Sequence, residues 1–145
     1  MTKDSTFRAF LVGIFMLLLS VCAGCQAETV DAGPRIESAV VDSLTWVDDV
    51  DAERDTSGTS TGYVARLTVA DQSPLTADEL AEVLTVMRQS TPDDTAYLSV
   101  IAHAGPVDAR KPVDVTSAAD ELGLRYTGFF TGISVSTSTV DDVLG

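Results

Sequence analysis

Two runs of alternating residues flank one strongly specified helix, and that order constrains the fold more than any other feature of the chain. Gly62–Ala70 (GYVARLTVA) puts Tyr63, Ala65, Leu67 and Val69 on one face and Arg66 and Thr68 on the other, the period of a half-buried strand. Thr76, followed three residues later by Glu79, forms a capping box, with Leu75 and Leu80 in the hydrophobic-staple positions. Leu80, Val83, Leu84 and Met87 then recur at helical spacing, and the helix is expected to end near Gln89, before Pro92. Thr95–His103 (TAYLSVIAH) is the next strand. By parity Tyr97, Ser99, Ile101 and His103 share one of its faces and Leu98 and Val100 the other.

The remaining elements follow from local chemistry. Ile36–Val47 is rich in β-branched residues and reads as a strand. Asp48–Thr61 is polar and reads as a long hairpin connection. After a Gly105-Pro106 turn and a basic loop at Arg110-Lys111-Pro112, Asp114 can cap a short helix reaching Leu122. Gly123 then stands where a helix end wants a left-handed residue, and Leu124 can cover that end. Tyr126–Thr137 reads as a strand before an acidic tail. The expected fold is α/β (α+β): a two-layer sandwich in the order β-β-α-β-α-β. Right-handed crossovers put two helices on one face of a four-stranded mixed sheet. Ala77-Asp78-Glu79-Leu80 is echoed by Ala119-Asp120-Glu121-Leu122, either a duplicated β-α unit or two independent helix starts.

Residues 1–27 are of another kind. Lys3 and Arg8 precede the uncharged run Ala9–Ala23 (AFLVGIFMLLLSVCA), about the length of a signal-peptide apolar region and short of the ~20 residues a spanning helix needs. The boundary reads Val21-Cys22-Ala23-Gly24-Cys25 and turns polar at Gln26-Ala27-Glu28. This resembles the lipobox of bacterial lipoprotein precursors, with Ala23 and Gly24 as the small residues before the cysteine and Cys22 where an aliphatic is usual. The resemblance implies a signal peptide over 1–24 and lipidation at Cys25; residues 26–34 lack periodicity, so 25–34 reads as a lipidated tether and 35–145 as one acidic domain. The implied place is the extracytoplasmic side of a bacterial plasma membrane. An uncleaved anchor helix and ordinary secretion are the alternatives.

Lys3, Arg8 and Asp4 lie in that leader, so the rest carries 7 basic against 21 acidic residues, a net charge of −14. Such a surface repels phosphate backbones, which argues against nucleic acid as a partner. Both cysteines, Cys22 and Cys25, fall at the leader boundary. A redox C-x-x-C would therefore be split by cleavage, and the domain relies on packing rather than a disulfide.

No familiar catalytic motif emerges. Gly132-Ile133-Ser134-Val135-Ser136 ends in Ser where a nucleophile elbow needs Gly. The single histidine, His103, lacks companions for a metal set. Asp49, Asp51, Glu53 and Asp55 alternate like a calcium loop. Counted from Asp49, however, the sixth position is Arg54 and the twelfth Ser60, where an EF-hand needs Gly and Glu. No cofactor is expected. The oddity is apolar bulk on both faces of the strands, with Tyr97, Ile101 and Phe130 off the helix-covered side. Such a patch marks a binding surface unless another segment folds over it. The expectation is a non-catalytic interaction module that binds an envelope protein or itself. Cation or small-ligand binding is the alternative, and a carboxylate-based hydrolase comes third.

Overall fold

A computed structural model describes residues 30–145, and its first element departs from expectation. Gly33–Ser43 is a helix, α1, not a strand. Ile36, Val40 and Leu44 recur every four residues and are buried, so helical period overrides β-branched propensity, with Pro34 pre-set for the first turn. Its opening amides are held. Asp31 Oδ1 accepts from the Gly33 N–H at 3.0 Å, and the buried Tyr63 hydroxyl accepts from the Ala32 N–H at 3.2 Å. The compact unit spans Asp31–Gly145.

The acidic stretch is not a loop either. β1 (Val47–Ser57) and β2 (Ser60–Val69) form an antiparallel hairpin. They are joined by Gly58-Thr59, with Gly58 at φ 62, the residue a two-residue turn asks for at its first central position. Val50 and Ala52 face the core while Asp51, Glu53 and Asp55 face away. Against the outer edge of β1, Glu37 of α1 accepts the Ala52 N–H at 2.9 Å. A Cβ on Gly33 would lie 2.5 Å from the Ala52 carbonyl oxygen.

Helix α2 (Ala77–Ser90) carries the expected capping box in both directions, a contribution of about 1 kcal/mol. Leu80, Val83, Leu84 and Met87 are fully buried. β3 (Tyr97–Ala104) then pairs with β2 in parallel. A 3₁₀ turn at Val107–Ala109 leads to the short β4 (Lys111–Val113), which pairs with the end of β3 where a basic loop was expected.

Helix α3 (Thr116–Glu121) follows, with Asp114 accepting from the Thr116 N–H at 3.0 Å. Its C-terminus is a Schellman motif. Gly123 sits at φ 69, its N–H bonds the Asp120 carbonyl, and the N–H of buried Leu124 bonds that of Ala119. The sequence echo has no structural counterpart, because Ala77–Leu80 opens α2 whereas Ala119–Leu122 closes α3.

The expected last strand is two. β5 (Tyr126–Phe129) and β6 (Gly132–Ser136) turn at Phe130-Thr131. The acidic tail is a helix, α4 (Thr137–Leu144), capped by Ser136 and tied to α2 by Arg88–Asp141 at 2.8 Å.

The α+β class stands, with six strands and four helices among the described residues in place of four and two. The sheet runs β1-β2-β3-β6-β5, and β4 pairs alongside β3 beyond β6. The core cluster joins the apolar faces of α1, α2 and α3 and Val140 of α4 to Leu67, Leu98, Val100, Ile133 and their neighbours. Val64 is buried yet stands outside that cluster, because it points to the other face.

Candidate functional site

The pairing registers lay the second face out in cross-strand rows. Glu53, Val64, Ser99, Ser134 and Thr127 form one row across β1, β2, β3, β6 and β5. On one side of it lie Asp55, Gly62, Tyr97 and Ser136. On the other lie Asp51, Arg66, Ile101, Gly132 and Phe129. Successive rows are about 6.6 Å apart, two residues of strand rise.

A cleft of about 630 Å³ occupies the first two rows and reaches Phe129 in the third, within the rough 300–1,000 Å³ range of small-ligand sites. Seven of its eleven lining residues carry hydroxyls, with one carboxylate from Asp55. The lining thus sets hydroxyls among the apolar surface of Val64, Ala96 and Phe129. Ser99 lies at its floor, 3% exposed.

Tyr97 forms one wall. Its ring lies over Gly62, where any Cβ would overlap it, and its hydroxyl donates to Asp55 at 2.9 Å. Burial, and then the hydrogen bond and charge of Asp55, push the phenol up to about 12. Folding therefore holds the Tyr97 proton more tightly than the unfolded chain does. Its contribution to stability is complete below pH 10 and is lost as pH rises from 10.0 to about 12. Asp55→Asn should lower that titration in an ultraviolet tyrosinate experiment without restoring the ordinary value, since burial remains. An unchanged midpoint would mean that the Asp55 contact contributes nothing.

The sequence candidates are distributed unevenly over this geometry. Tyr97 and Ile101 are on the open face, but Phe130 is not beside them. It sits fully exposed at the β5–β6 turn with φ 47, and Phe129 takes the place next to Ile101 over Gly132. Glycines at 128 and 132 on either side of the aromatic pair were the available sign of a turn there. The extended β1 strings out Asp49, Asp51, Glu53 and Asp55 rather than converging them. Arg66 bridges Asp51 at 3.5 Å and also holds Glu53, while Asp55 is engaged by Tyr97. Among the described residues no three ligand-type side chains form a metal-sized group. His103 is four residues from Ser99 along β3, about 13 Å at strand rise, so it does not reach the cleft hydroxyls as a base. Burial, with Arg110 and Arg66 nearby, holds it below the usual histidine range.

Cys25 and the leader lie outside the described residues, and among the described ones no helix is long and apolar enough to cross a membrane. Comparison with protein-family models, curated proteins and solved structures found no match to the chain.

Proposed function

We propose that the chain is a non-catalytic binding module, anchored through lipid on Cys25 to the extracytoplasmic side of a bacterial plasma membrane, and that the open sheet face recognises an envelope component. The observation behind this reading is the segregation of the fold. The core cluster unites the four helices with one face of the sheet, while the cleft opens on the other. Among the described residues the one carboxylate of the cleft, Asp55, is engaged by the Tyr97 hydroxyl rather than by a serine, which favours binding over covalent chemistry.

Two variants of the full chain test the two halves. Cys25→Ser should shift the protein from the membrane fraction to the soluble one if the lipid is the anchor, and continued membrane retention would sink the anchor. A photoreactive residue in place of Thr127, exposed on the open face, should capture a reproducible envelope component. The same group in place of Asp142, exposed on α4, should not. Equal labelling from both positions would remove the face from consideration.

A further inference from the structure

We infer that the cleft on the open face binds a short uncharged oligosaccharide, a proposal that rests on that face being the recognition surface. Its lining selects by elimination. Among the described residues no basic side chain lines it, the carboxylate present is Asp55, and the whole chain carries a net charge of −13. Phosphorylated, sulfated or carboxylated ligands are repelled there. Lipid tails would strand the hydroxyls of Ser99, Ser134 and Thr127 without partners, at a cost in desolvation.

What suits the surface is a ligand bearing many neutral groups that both donate and accept. Each serine or threonine hydroxyl does both itself, so sugar hydroxyls pair with this row in either sense. A pyranose also has an apolar face of C–H groups, and this site offers an aromatic to meet it. Phe129 stands half-buried beside the Ser99–Ser134–Thr127 row and outside the core cluster. Tyr97 closes the opposite side, its hydroxyl committed to Asp55 and its ring spread over Gly62. The Ser99 hydroxyl in the lining can both donate to and accept from a bound sugar.

The test uses the full chain in a zwitterionic detergent, because glycoside detergents would compete. Chitotetraose and cellotetraose are the probes in calorimetric titration, with an oligogalacturonate as the anionic control. At least one neutral tetrasaccharide should bind and the anionic one should not. Ser99→Ala should weaken binding on the order of five-fold, the loss of one hydrogen bond. Phe129→Ala should weaken it on the order of ten-fold, with the melting transition of both variants retained.

Absence of binding by both neutral probes, equal binding of the anionic one, or indifference to both substitutions would overturn the proposal. If the sugars fail while Thr127 still captures an envelope protein, the open-face reading stands and the saccharide is wrong. If the sugars fail and Thr127 captures nothing, both fall together.

Discussion

Leu84→Ala should lower the unfolding free energy by about 2–5 kcal/mol, the usual cost of deleting a buried leucine side chain and leaving a cavity. The position is chosen for its place in the packing. Leu84 is fully buried on α2, the helix that touches α1, α3, α4 and β3 and so joins the layer to the sheet. A domain of this size has about 5–15 kcal/mol in total, so the substitution takes a large share of it. Urea unfolding should show a lower midpoint with an unchanged slope, the sign of lost stability rather than an altered unfolded state. A loss below about 1 kcal/mol would mean that the surroundings of Leu84 collapse to fill the gap.

Gly132→Ala should be the most damaging change on the open side. A Cβ there meets the Val100 carbonyl oxygen at 2.7 Å and the Ile101 side chain at 2.7 Å. The carbonyl belongs to the β3–β6 ladder and cannot step aside, so the ladder must part. The expected loss is about 1–3 kcal/mol, typical of overpacking, measurable in the same urea experiment. Gly62→Ala provides the contrast. The atoms nearest its new methyl belong to the ring of Tyr97, and a half-buried ring can swing away more readily than backbone. Stability should fall less than for Gly132→Ala, whereas the Tyr97 titration should drop toward that of an ordinary tyrosine as the ring leaves Asp55. Equal destabilisation by the two alanines would mean that the Tyr97 ring is as fixed as backbone.

The elements that could be read from sequence are those specified by short-range chemistry. The Thr76–Glu79 capping box and the Gly123 C-terminus are complete within a few residues, and both appear in the structure as the residues imply. The faces of β2 and β3 follow from parity alone. The misreadings share a cause, because each depended on what the segment packs against. Ile36, Val40 and Leu44 become one helical stripe only when the β1–β2 hairpin lies beneath them. The carboxylates of β1 look like a loop until their alternation with Val50 and Ala52 is set against β2. Parity along β3 put Tyr97, Ser99 and Ile101 on one face, and of these Tyr97 and Ser99 line the cleft. Joining Ser99 to Ser134 and Thr127 takes a register that no local pattern encodes.

The contact of α1 with the rim of β1 determines how the sheet can meet other chains. An eleven-residue strand at the end of a sheet offers a row of free amides and carbonyls, a template on which another extended chain can zip. Here Glu37 has already claimed the Ala52 amide, and the backbone at Gly33 stands against the carbonyl of the same residue. Carboxylates at Asp51, Glu53 and Asp55 charge one side of that rim, and the opposite rim is β5, only four residues long. Strand addition is therefore disfavoured at both ends of the sheet. Two copies that meet are kept from joining through their backbones, which leaves side chains on the broad face, rather than main-chain ladders, exposed to contact.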